Sequence, residues 1–206
     1  MDRRDLDELH CIQPIENLPS IMLRGILSHR RAQSVPHIDV SDATIQDLRT
    51  GKVVPDARYK EQLELHDYAN AYVCGHNPML HRLSIGRGIH AQLSVLRLSC
   101  DVLDLEEAVI ADGNASSKYT SFHPSPQGLD AIDAEITFLG DPTHPNQYEF
   151  WSRKRKMCAE VLVPNVIEAR YIEGVIVSCK DARKRCVELG VPWPIEMDPE
   201  FFHLSS

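Results

Sequence analysis

A chain of 206 residues, 43% hydrophobic and 25% charged, has the length and make-up of one full domain, or two very small ones, with a proper core. Twenty-two basic against thirty acidic side chains leave a formal charge of −8, which excludes coating nucleic acid through bulk positive charge but leaves room for a local basic site. No apolar run approaches the ~20 residues of a membrane span, and the start, Met1-Asp2-Arg3-Arg4-Asp5-Leu6-Asp7-Glu8, holds no secretory stretch, so a cytoplasmic location with no membrane contact is expected.

In chain order, Leu9-His10-Cys11-Ile12 is a strand-like start. Ile15 to Gly25 reads as a short helix: Asn17 can cap it, Pro19 is tolerated in its first turn, Gly25 stops it, and Leu18, Ile21 and Met22 are spaced to face a core. A second helix is predicted over Asp42 to Arg49, ending at Gly51. A third begins at Asn77-Pro78, with Met79, Leu80 and Leu83 on its inner side. Ser94 to Ser99 alternates apolar and polar residues, which predicts a half-buried strand. Residues 112–150 are rich in turn residues, and so long a turn-rich stretch inside a compact domain is more often functional than idle. Glu160-Val161-Leu162-Val163 and Gly174-Val175-Ile176-Val177-Ser178 are short β-branched strands. No internal repeat divides the chain, so the expectation is a single α+β domain over residues 1–206, with helices at the front and strands at the back.

Several chemistries fall away. A P-loop signature is missing, Gly86-Arg87-Gly88 lacks the third glycine and preceding strand of a dinucleotide fingerprint, and no H-E-x-x-H occurs. Cys74-Gly75-His76 with His81 has soft ligand types at a spacing that matches no zinc pattern, so no metal is expected. The six scattered cysteines read as reduced, mostly buried thiols. A distant Cys–His nucleophile pair is neither excluded nor favoured.

The informative residues are polar ones where a strand or helix should be plain. Glu160 opens an apolar strand and can accept a ligand hydroxyl or steady a developing cation; it can equally be a charge that protects a sheet edge, the commoner reason for such a residue. His10 alone reads as a satisfied structural histidine. Arg49 either complements a helix dipole or reaches a ligand. Arg153-Lys154-Arg155-Lys156 is either a solvated face or a grip on phosphates.

Taken together, these segments resemble the DarT family of DNA ADP-ribosyltransferase toxins. The matching stretches, in family order, start with Leu9-His10-Cys11-Ile12 through Glu16-Asn17-Leu18-Pro19-Ser20-Ile21, Gly25-Ile26-Leu27-Ser28, Ile45-Gln46-Asp47-Leu48-Arg49 and Lys52-Val53-Val54. They continue with His66-Asp67-Tyr68, Asn77-Pro78-Met79-Leu80, Asp112-Gly113-Asn114-Ala115 and Ala159-Glu160-Val161-Leu162-Val163, and so cover most of the chain. The resemblance implies an ADP-ribosyltransferase fold, with mixed β-sheets and flanking helices around a cleft for NAD. It also implies transfer of ADP-ribose to a base of single-stranded DNA, with nicotinamide released. On that pattern Glu160 is the catalytic glutamate, Arg49 assists the attack, and His10, Gln13, Asn17 and Arg49 form the NAD pocket. The stretch from Gly128 to Cys158 corresponds to the substrate-recognition loop, and Arg153, Lys154, Arg155 and Lys156 bring local positive charge to DNA.

The implied partners are single-stranded DNA and a cognate antitoxin of the macrodomain or another ADP-ribosyl-glycohydrolase type, with the protein itself a monomer. Departures at Cys11-Ile12-Gln13, His66 to Tyr72 and Cys74-Gly75-His76 favour guanine narrowly over thymine as acceptor. Two other readings stand beside this one: the same fold acting on RNA or protein, and a non-catalytic nucleotide-binding module.

Overall fold

The computed structural model describes residues 1–41, 43–55 and 62–204. Asp42, the expected first residue of the second helix, lies outside the described residues. The elements in order are β1 (Leu9–Pro14), α1 (Leu18–Arg24), β2 (Ile26–Leu27), α2 (His29–Ala32), α3 (Ala43–Arg49), β3 (Tyr68–Tyr72), α4 (Pro78–His81), β4 (Leu93–Leu98), β5 (Val109–Ala111) and β6 (Phe122–Pro124). The order continues with α5 (Ala134–Thr137), α6 (Gln147–Lys156), β7 (Glu160–Pro164), β8 (Val166–Ile167), β9 (Ile172–Val177), α7 (Lys180–Glu188) and β10 (Ile195–Met197). The fold is α+β, but strands and helices interleave along the chain instead of separating into front and back. No helix among the described residues is long and apolar enough to cross a membrane.

Eight strands form one sheet in the order β10-β9-β4-β1-β3-β7-β5-β6, with β10 parallel to β9 and every other pair antiparallel. β2 and β8 make a separate two-stranded clip. The sheet is strongly joined within each half and weakly between them. β1 pairs with β4 along its whole length, from Leu9↔Leu98 to Pro14↔Leu93, yet meets β3 only at His10↔Tyr72. Beyond that contact the two strands part and open a fork.

Alternation sorts side chains onto two faces. Leu9, Cys11, Leu96, Leu98, Ala71, Val161, Val163 and Val175 build a continuous core on the back, covered by Leu18 and Ile21 of α1 and Ala182 and Cys186 of α7. The front holds two smaller clusters. One joins Leu93, Val95 and Ile176 to Leu80, Leu83 and Phe202; the other joins Tyr68, Val109 and Leu162 to Val54 and Leu65. Each fully buried Leu, Ile or Val is worth about 1.5–3 kcal/mol. Because clusters cover both sides of β4, the strand is buried at every position but Arg97, and the half-buried expectation for it fails.

The segment from Ile15 is a 3-10 turn to Asn17 followed by α1, and Gly25 ends it at φ +77°. A Cβ on Gly25 would lie 2.4 Å from the Ile167 carbonyl, so only glycine allows β2 to reach β8 directly after the helix.

Candidate active site at the fork of the sheet

Directly opposed residues in antiparallel strands share a face. The register His10↔Tyr72 and Tyr72↔Glu160 therefore sets three polar side chains in one row across β1, β3 and β7, on the front and between the two apolar clusters. His10 and Glu160 were legible in the sequence; Tyr72 was missed, although it is the bridge between them. Burial pushes the Tyr72 phenol well above its ordinary pKa, with the nearby Glu160 charge adding to the shift, so Tyr72 is present as a neutral hydroxyl.

Glu160 is 1% exposed. It heads β7, an interior strand between β3 and β5, so the edge-protecting reading of this residue fails. One carboxylate oxygen, Oε1, accepts the Ala115 N–H at 2.9 Å. The other, Oε2, has no hydrogen-bond partner and lies 3.5 Å from Nη1 of Arg49. A buried carboxylate oxygen left in that state is costly and calls for an explanation.

Arg49 is the last residue of α3, where a cation also suits the carbonyl end of the helix. Its side chain is 12% exposed and lines the cleft in the fork, a space of about 240 Å³. Cys11 and Gln13 of β1, Asn70 and Tyr72 of β3, and Asn17 face the same space. His10 and Glu160 are not among the lining residues; each stands beside one that is, Tyr72 or Arg49.

His10 is buried. Its Nε2 pairs with the Glu8 carboxylate at 3.0 Å, and Arg97 holds Glu8 from the other side at 2.6 Å. Its Nδ1 has no partner. The reading of His10 as a satisfied structural histidine therefore holds for one ring nitrogen only. Gly75 packs so close that a Cβ there would sit 2.6 Å from Cγ of His10, which accounts for the glycine between Cys74 and His76.

Asn17 lines the cleft but does not cap α1. Its side-chain amide exchanges two hydrogen bonds with the backbone of Ile38, donating to the carbonyl at 2.9 Å and accepting the N–H at 2.8 Å. It thereby ties down the segment 35–41, part of the cleft wall. Gln13 points Nε2 at the Cys11 sulfur, 3.3 Å away.

The basic run divides. Arg155 turns inward to the Asp112 carboxylate at 2.7 Å, and Lys156 to Asp133 at 2.8 Å. In the last turns of α6, Arg153 donates to the Thr143 carbonyl at 3.4 Å, and the Lys154 ammonium lies over the rings of Phe150 and Trp151 at 5.9 and 5.5 Å. On the same helix Tyr148 is 88% exposed, and Trp151 is also exposed.

The motif Asp112-Gly113-Asn114-Ala115 is the turn that carries the Ala115 N–H to Glu160. Arg155 packs so tightly on it that a Cβ at Gly113 would lie 2.5 Å from a guanidinium nitrogen. The Asn114 N–H in turn donates to the Arg155 carbonyl at 2.9 Å. A cysteine nucleophile finds no support: burial pushes the Cys11 thiol up to about 11 and Cys158 up to about 12, so neither carries thiolate near neutral pH. Among the described residues no group of three His, Cys, Asp or Glu side chains is placed to hold a metal ion.

A family model described as "ssDNA thymidine ADP-ribosyltransferase, DarT" matches residues 10–203. A DNA ADP-ribosyl transferase–DNA ADP-ribosyl glycohydrolase fusion protein of Thermosipho africanus (strain H17ap60334) is 30% identical over 209 residues, covering 97% of this chain and 50% of the relative. The chain thus spans about half the length of that fusion protein.

Among solved structures, Thermosipho africanus DarTG in complex with ADP-ribose superposes with a TM-score of 0.81 at 27% identity, over 96% of this chain and 51% of that one. Thermus sp. 2.9 DarT in complex with ADP-ribosylated ssDNA gives 0.83 at 20% identity, over 96% of each chain. Thermus sp. 2.9 DarT in complex with NAD+ gives 0.77 at 18% identity, over 94% of this chain and 96% of that one.

Proposed function

The chain belongs to the DarT family of single-stranded DNA ADP-ribosyltransferases, and on that premise we propose that it cleaves the nicotinamide–ribose bond of NAD at the fork of its sheet and transfers the ADP-ribose to a DNA base. The observation that carries this reading is the free Oε2 of Glu160, buried beside Arg49 at the end of the cleft. Together with the free Nδ1 of His10, it makes two buried polar atoms in one row whose partners a ribose diol would supply. Gln13, Asn17 and Arg49 line the cleft and contribute its polar contacts to the dinucleotide.

Loss of nicotinamide builds positive charge on the ribose C1′. Glu160, oriented by the Ala115 N–H, takes the ribose hydroxyl on Oε2 and places a fixed negative charge next to that centre without reorganisation. The acceptor base bonds to C1′ as the bond to nicotinamide breaks, and the proton it gives up passes to solvent water. The Arg49 guanidinium stabilises the base's developing negative charge and so favours that loss. A base must leave its stack to enter a fork of this size, and single strands make that cheapest. Tyr148 and Trp151 are the exposed rings on which neighbouring bases can stack, at about 1–3 kcal/mol per base. Arg153 and Lys154 meet the phosphates, while Arg155 and Lys156 act from within by holding Asp112 and Asp133.

The departures around Cys11, His66 and Cys74 favour guanine as acceptor, and thymidine is the base in the family's description. The physiological reading is the monomeric, cytoplasmic toxin of a toxin–antitoxin pair. Its proposed partner is an ADP-ribosyl glycohydrolase, the activity named beside the transferase in the Thermosipho fusion protein.

Mass spectrometry of nucleosides from single-stranded oligonucleotides treated with protein and NAD tests the whole reading. A nucleoside carrying ADP-ribose is expected, its base identified by the same spectrum, with at least ~100-fold less from Glu160→Ala. Full modification by that variant would overturn the site, and labelling of protein or RNA alone would overturn the substrate.

A further inference from the structure

We propose that Lys52 is a positioning residue for catalysis: it sets the orientation of the Glu160 carboxylate by holding residue 115 from the side opposite the carboxylate. The Lys52 ammonium donates to the carbonyl oxygens of Ala115 at 2.6 Å and Ser117 at 2.7 Å. The N–H of the same Ala115 donates to Glu160 Oε1. The peptide on one side of the Ala115 Cα is thus bonded to Lys52 and the peptide on the other side to Glu160, so residue 115 is pinned between the two.

Lys52 also lies three residues beyond Arg49, and its own N–H donates to the Arg49 carbonyl at 3.2 Å. One residue therefore joins the end of α3, which brings Arg49 to Oε2, to the turn that brings an N–H to Oε1. With both contacts in place, the carboxylate presents Oε2 in one direction only. Without the ammonium, the 115–117 turn loses two charge-assisted bonds, and Glu160 keeps its charge but not its aim.

The stem of Lys52 is packed, with the ammonium 5.3 Å from the Phe122 ring centroid. Among the described residues its ammonium donates only to backbone carbonyls, an unusual use of a half-buried lysine. Burial, and next to it Arg49, lower its pKa from the ordinary value, while the Glu160 charge opposes them, which places all three groups in one electrostatic cluster.

This inference rests on Glu160 being the group that meets the ribose. Lys52→Met keeps the stem and removes the ammonium; Lys52→Arg restores a cation with donors. With NAD and a single-stranded oligonucleotide, Lys52→Met is expected to lose at least tenfold in kcat while KM for NAD stays within twofold, and Lys52→Arg to recover part of the kcat. A Lys52→Met kcat within twofold of wild type would overturn the proposal. So would a rise in KM that matches the loss of kcat, which would mark general damage to the cleft. Where Lys52→Met does not fold, Lys52→Gln is judged by the same two limits. Glu160→Gln, assayed in parallel, separates the two ideas. If it stays active, the reading of the site fails; if it is inactive while Lys52→Met turns over normally, only the role of Lys52 fails.

Discussion

The back of the sheet carries one uninterrupted apolar core, from Leu98 on β4 across to Val163 on β7, whereas the front carries two smaller cores with His10, Tyr72 and Glu160 between them. Both faces belong to the same strands and obey the same alternation, so strand propensity does not explain the difference. On the back, α1 and α7 bring enough apolar surface to cover the seam between β1 and β3. On the front the buried apolar residues fall into two clusters, and the groups set between them lack hydrogen-bond partners at His10 Nδ1 and Glu160 Oε2. The back face carries the larger apolar core, while the front leaves two buried polar atoms without hydrogen-bond partners, which costs stability.

The sharpest way to break this contrast is to damage the back alone. Leu98→Ala should cost about 2–5 kcal/mol in urea unfolding, yet leave kcat of the remaining folded protein unchanged; a matching loss of kcat would show that the faces are not separable. On the front, Arg49→Ala should reduce transfer to DNA about 100-fold, or about 2.7 kcal/mol of barrier, with NAD affinity changed only a few-fold by calorimetry. Equal losses in both would contradict its role towards the acceptor.

The smallest expected effect is one of pH. His203 stacks on His76 at 3.7 Å with His81 edge-on at 5.0 Å, and burial first, then its two neighbours, hold its pKa down to about 4. The unfolded chain takes up this proton near 6.5, so from there down to about 4 it binds more protons than the folded one. Stability should therefore be fully present above pH 6.5 and fall as the pH drops towards 4. Urea midpoints measured along that range should flatten in His203→Asn; an unchanged slope would remove His203 as the cause.

The strands at Glu160 and Gly174, the helix ending at Arg49 and the stop at Gly25 were legible because local pattern decides them. The burial of β4 was not, since its second face is covered by α4 and by Phe202 from distant stretches of the chain. The partner of Asn17 escaped for a similar reason: a cap is a local rule, and Ile38 lies in a loop without pattern. Lys52 and Ala115 were visible only as parts of resembling segments, and Tyr72 only inside a stretch that departs from the family. Their roles follow from register and from backbone hydrogen bonds, which no residue type announces. The basic run divides because a helix distributes four successive cations around its axis, so that Arg155 and Lys156 pair with Asp112 and Asp133.

The row His10–Tyr72–Glu160 also has a consequence in time. It joins the first strand of the sheet and the third to β7, which leaves the ribosome long after the other two. Contacts so distant in sequence form late, because the loops between them must be closed first. A nascent chain that has built the β1–β4 pair and both walls of the fork still lacks the acid at its end. On the proposed role of Glu160, chemical competence waits for β7 to be made and paired with β3.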